Sequence, residues 1–175
     1  MQIPIPCVKQ FRKNDCWICC SVMIYNHFFP AEAMDYSCGK VPSLIRKYMI
    51  AKHKSGDVPG SVSDFLIYTR KGFKVPLDER RIPKFKEEIC PEIEAGQPLF
   101  CMVKDCTWEG GKPNPKCKDG HWIIICGYLE TQLGNELLIL DPDPNVPKVI
   151  SIPYDDTTYF YRDGMYFQST SYCSL

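Results

Sequence analysis

The chain has 175 residues, 45% of them hydrophobic and 13% aromatic, enough for one packed domain and too apolar for general disorder. Its 21 basic residues balance its 21 acidic ones, so no charge excess points to nucleic acid or to an anionic membrane surface. No apolar run approaches the roughly 20 residues of a bilayer span, and Met1-Gln2-Ile3-Pro4-Ile5-Pro6 does not read as a signal peptide, which together predict a soluble protein without a membrane segment.

Taken in order, residues 3–9 alternate Ile3, Ile5 and Cys7 with prolines, the pattern of a short extended edge segment. Asp15 is a good N-cap residue, and after it Trp17, Cys20, Val22, Met23 and Ile24 give an apolar helical surface that predicts a helix over 15–29, ending before Phe29-Pro30. A turn or short helical piece is expected between Ala31 and Gly39. A second helix is expected over 42–50, with Leu44, Ile45, Tyr48 and Met49 on one stripe, and a loop over 56–60. A third helix begins at Ser61 and stops at Gly72, and a fourth runs from Pro83 to Glu94, interrupted or restarted by Pro91 and closed by Gly96.

The period then changes. Strands are expected at 98–103 and at His121–Leu129, separated by a loop over 105–120 rich in glycine, proline and lysine. Gly134-Asn135 marks a turn into a strand over 136–140, and further strands are predicted at 146–152 and 165–172, with a short helix or loop over 154–161. Helices first and strands afterwards give an α+β protein, read as one domain over 1–175 with a helical lobe of about 10–96 and a β lobe of about 97–175. The 11 cysteines are an odd number. Cys20, Cys101 and Cys126 lie in apolar runs, as reduced core cysteines do, so free thiols are expected.

One cysteine stands in a different setting. Cys16 falls at the first turn of the first helix, where unpaired N–H groups and the positive end of the macrodipole favour a thiolate. Gln10, with its side-chain amide, lies six residues before it. Of the three histidines, His27 near a helix end reads as an exposed or C-capping residue, and His53 in Lys52-His53-Lys54 as part of a solvated surface. His121 starts a strongly apolar strand, and the strand that returns beside it ends at Asp141-Pro142. The hairpin therefore predicts Asp141 next to His121, where its carboxylate would accept from the ring and fix its tautomer, with Asp143 as the alternative. An imidazole close to Cys16 can hold its proton as an ion pair and later deliver it to a leaving amine.

Gln10…Asp15-Cys16-Trp17, then Gly120-His121-Trp122, then Leu140-Asp141-Pro142 resembles the papain-like cysteine proteases. The short Asp-using branches are the most similar, namely the bacterial effector proteases of plant pathogens and the bacteriocin double-glycine leader peptidases. The resemblance implies a helical lobe and an antiparallel β lobe with the active cleft between them. It also implies a cysteine endopeptidase with Cys16 as nucleophile, His121 as general acid and base, Asp141 as orienter and Gln10 as oxyanion donor. Trp17 and Trp122 are then expected to line the cleft as substrate-binding residues. The implied partner is a peptide or protein substrate, with no cofactor and no metal; the protein is cytoplasmic, or exported into a host cell if it is an effector. Cys19 and Cys20 depart from the small residues that often follow the nucleophile, and Cys106 and Cys117 have no assigned role.

Four other readings compete with this one. A zinc site could combine Cys16-x-x-Cys19 with Cys106, Cys117 and His121, but the second Cys-x-x-Cys pair is missing. A thioredoxin-like dithiol at Cys16 and Cys19 needs a preceding strand, which Phe11-Arg12-Lys13-Asn14 does not supply. The others are a non-catalytic interaction domain and a thiol-dependent acyltransferase or deubiquitinase-like enzyme on the same scaffold.

Overall fold

The computed structural model describes residues 1–52, 62–69, 77–79, 84–105, 108–109, 112–113, 120–154 and 165–172. Its first half is helical. Helix α1 (Cys16–Phe28) contains no proline and stops at Phe29, which precedes Pro30 and leaves the helical region. Every residue from Cys16 to Tyr25 is buried, so α1 is sheathed on all sides rather than amphipathic. Helices α2 (Ser43–Lys52) and α3 (Val62–Tyr68) follow. Tyr48 on α2 is their hub, meeting Trp17, Phe65 and Tyr68 edge-on with ring centroids 5.9, 5.6 and 5.3 Å away. Between α1 and α2 the expected short helical piece is the 3-10 turn Pro30–Glu32.

The fourth predicted helix is divided. Phe85–Ile89 forms a π turn in which the Ile89 N–H reaches Lys84 O at 3.1 Å, and only then does α4 (Cys90–Glu94) begin. Pro91 gives the reason: it lacks an N–H and its ring crowds the turn before it, so the helix widens upstream and restarts at the proline. Gly96, at φ 76°, closes α4, and its carbonyl accepts from His27 Nε2 at 2.8 Å, joining the ends of α1 and α4.

The second half is an antiparallel sheet. Strands β1 (Leu77–Glu79), β2 (Leu99–Asp105), β5 (Gly120–Thr131), β6 (Gly134–Leu140), β7 (Ile150–Tyr154) and β8 (Met165–Tyr172) lie in the order β1-β8-β2-β5-β6-β7. A separate two-residue ribbon, β3 (Trp108–Glu109) and β4 (Lys112–Pro113), lies within the predicted 105–120 loop. Helices packed against an antiparallel sheet agree with the α+β class, and α1 and α4 both lie against β5. Among the described residues no helix is long and apolar enough to cross a membrane.

Four expectations are corrected. The β5–β6 turn is Gln132-Leu133, because Thr131 pairs with Gly134 and Gly134-Asn135 already belongs to the strand. Strand β7 starts at Ile150 instead of 146, the intervening residues being held in a turn. The two halves of the chain are also not cleanly segregated. Strand β1, from the nominally helical half, extends the sheet beside β8, and Met1–Ile3 takes up the β5 edge where β2 stops. Gly127 permits that approach, since a Cβ there would lie 2.6 Å from the Met1 carbonyl oxygen. Finally, Val62–Tyr68 is shorter than the helix predicted to Gly72; the loop 56–60, His53, Gly72 and residues 155–161 lie outside the described residues.

Candidate active site

Cys16 is the first residue of α1 and retains 6% of its surface. Asp15 stands at the N-cap position, but its side chain makes no capping bond. The carboxylate is turned inward instead, 5% exposed, and Oδ2 accepts the Tyr36 hydroxyl. Burial and this carboxylate together push the Tyr36 phenol well above its ordinary pKa. The expected N-cap is thus a tie between the start of α1 and the loop around Tyr36. It also leaves the first-turn N–H groups beside Cys16 free of a side-chain cap.

The hairpin delivers the second component. Ile124 pairs with Leu140, so β6 ends with Asp141 beside the first residues of β5. The His121 Nε2–H donates to Asp141 Oδ1 at 2.7 Å. Asp141 is fully buried, and the same oxygen accepts the Asp143 N–H at 2.8 Å. A buried carboxylate needs a cation or several donors, and here it has both kinds of partner within reach. Asp143 Oδ1 instead accepts from the Asn145 N–H at 2.9 Å, which gives Asp143 a turn-stabilising part; the geometry sets Asp141 against the imidazole.

Cys16 lies close enough to His121 to act on the ring electrostatically. With Nε2 engaged by Asp141, Nδ1 is the ring atom left for the thiol. Burial pulls the His121 pKa down, but the hydrogen bond to Asp141 and the influence of Cys16 outweigh it and raise it to about 9. The imidazolium therefore persists at neutral pH. No other described thiol has this setting. Burial pushes Cys19 and Cys20 far up, and Cys126 up to about 12, so these sulfurs stay protonated. A buried, protonated Cys19 is a poor half of a dithiol redox pair. Cys7, Cys16, Cys19, Cys20, Cys38, Cys90, Cys101 and Cys126 are free thiols, while Cys106 and Cys117 lie outside the described residues.

Gln10 reaches the site through its backbone, whose N–H donates to Pro142 O at 2.8 Å, one residue beyond Asp141. Its side-chain Oε1 is buried and receives no hydrogen bond among the described residues. The structure thus brings Gln10, Cys16, His121 and Asp141 into one neighbourhood.

The two tryptophans go elsewhere. Trp17, 3% exposed, packs on Tyr48, and Trp122, 7% exposed, packs on Phe100 with ring centroids 5.8 Å apart. Both belong to the core, so the expectation that they wall a cleft is replaced by a packing role. The parts of Asp15, Tyr36 and Lys9 were missed from sequence; Asp15 and Tyr36 are 21 residues apart, and only the fold pairs them. Among the described residues no group of three His, Cys, Asp or Glu side chains is placed to hold a metal ion.

Chemically, this is a thiol at a helix start, an imidazole able to carry its proton, and a buried carboxylate that fixes the ring. Such a set can perform nucleophilic acyl chemistry. No family model matches the chain, and no curated protein matches it.

Proposed function

We propose that the protein is a papain-like cysteine endopeptidase acting on a peptide or protein substrate. The observation that carries the reading is the His121 ring bound to buried Asp141 at 2.7 Å, with Cys16 at the N-terminus of α1 near enough to help raise its pKa. The order Gln10, Cys16, His121, Asp141 along the chain supports it as well.

In the proposed reaction Cys16 Sγ, as thiolate, attacks the scissile carbonyl carbon and a C–S bond forms. The oxyanion that develops accepts from the Cys16 backbone N–H and the Gln10 side-chain amide. Collapse breaks the C–N bond, and the departing amine takes the proton held on His121. The thioester that remains is attacked by water, which gives a proton to the now neutral imidazole, and the sulfur leaves as thiolate. Asp141 keeps its charge throughout and stabilises the imidazolium.

The test is cleavage of an unbiased peptide library by the purified protein and by Cys16→Ala. Alanine at a helix start costs little stability, so this variant should melt as the wild type does and cleave nothing. Retained cleavage by Cys16→Ala would remove the sulfur from the mechanism.

A further inference from the structure

Asp141 opens an irregular loop that runs to Val149, and an irregular loop is a weak support for a group that must orient a ring. Here the loop is closed around a cation. Lys9 Nζ donates to the backbone carbonyls of Asp141 at 2.7 Å, Asp143 at 3.0 Å, Val146 at 2.8 Å and Pro147 at 3.3 Å. An ammonium has three N–H groups, so the three short contacts saturate it and Pro147 shares. Four carbonyl oxygens converging on one point repel each other unless a positive charge lies between them. The neighbouring Gln10 N–H takes the Pro142 carbonyl at 2.8 Å, so two consecutive residues bind five backbone carbonyls of the loop.

We infer that Lys9 is the positioning residue of the catalytic carboxylate: its ammonium stands where a bound cation would, fixing the loop so that Asp141 meets His121. The inference rests on the peptidase reading and adds to it the part that holds the acid–base pair in register with the oxyanion donor, since Lys9 and Gln10 are adjacent. Displacing a reacting group by about 1 Å can cost about 100-fold in rate.

The sign of one measurement separates positioning from simple charge. The groups facing His121 are Asp141, from the end of β6, and Cys16, from α1; Cys7 and Lys148 lie in the field of the same loop. Removing a nearby cation by charge alone raises the His121 pKa. Loosening Asp141 lowers it.

The experiment is an NMR titration of the His121 ring in the wild type and in Lys9→Met, with the Cys16 alkylation rate at pH 7 measured on both. The expected result is a wild-type midpoint near 9 that falls by a unit or more in Lys9→Met, with alkylation slowed at least tenfold. An unchanged or raised midpoint in the variant overturns the inference while leaving the peptidase reading intact. A wild-type midpoint near 6.5 overturns the peptidase reading itself. Should Lys9→Met not fold, Lys9→Arg is read in its place: its planar fork cannot satisfy carbonyls gathered for a compact ammonium, and a wild-type titration in it also overturns the inference.

Discussion

Replacing Asp141 by Asn isolates the charge of the buried carboxylate from its shape. Oδ1 accepts both the His121 Nε2–H and the Asp143 N–H, so an amide oxygen can occupy the same place and keep both hydrogen bonds. What disappears is a negative charge 2.7 Å from the ring nitrogen. At an effective dielectric of about 20, a unit charge at about 4 Å is worth about 4 kcal/mol, or about 3 pH units. Set against a wild-type value of about 9, the His121 midpoint should drop to about 6 or below, since burial then acts with less opposition. The assay is the NMR titration of the histidine ring signals, which a protein with only 3 histidines makes tractable, with His121 assigned by deletion. Proteolytic turnover at pH 7 should fall by about 100-fold or more, because the proton no longer rests on the ring. If Asp141→Asn titrates as the wild type does, the carboxylate is not what holds the imidazolium, and the assignment of Asp141 fails.

Gln10→Ala should lower kcat by about 100-fold with KM little changed, as expected of a donor that acts only on the developing oxyanion; a change confined to KM would assign it to substrate binding. Trp17→Ala should cost about 3–5 kcal/mol in urea unfolding, because it empties a site packed against Tyr48, and any loss of activity should track that loss. Gly127→Ala drives a Cβ to within 2.6 Å of the Met1 carbonyl, so it should destabilise by about 1–3 kcal/mol and speed amide exchange at Ile3. His121, raised from 6.5 to about 9 on folding, binds its proton more tightly in the folded state. Its contribution, about 3 kcal/mol, is fully present below pH 6.5 and is lost as pH rises through about 9. Urea midpoints at pH 6 and 9.5 should therefore converge between wild type and His121→Ala at the higher pH.

Local chemistry made much of this fold legible. The apolar run after Asp15, the prolines at 30 and 91 and the glycine at 96 placed three helix boundaries, because those residues act on the backbone next to them. The hairpin was readable too, since β5 and β6 are adjacent in sequence and their pairing brings Asp141 to His121. What stayed hidden depends on distant partners. Strand β1 exists only because β8 is beside it, and its three residues carry no pattern of their own. Asp15 looks like a cap until Tyr36 is known to be within reach, and a tryptophan beside a nucleophile looks like a cleft wall until α2 covers it. Lys9 is one of 21 basic residues in the sequence; only the fold shows four carbonyls around it.

The central claim is that one sulfur and one imidazole, 105 positions apart in the chain (16 to 121), share a proton across the site. Its most direct test is the pH dependence of Cys16 carboxamidomethylation, followed at that peptide by mass spectrometry in the wild type and in His121→Ala. An ion pair predicts rapid reaction at pH 6, well below the free-thiol pKa of about 8.5, and collapse of that reaction in the variant. A wild-type profile rising only above pH 8, or one that His121→Ala leaves unaltered, would contradict it.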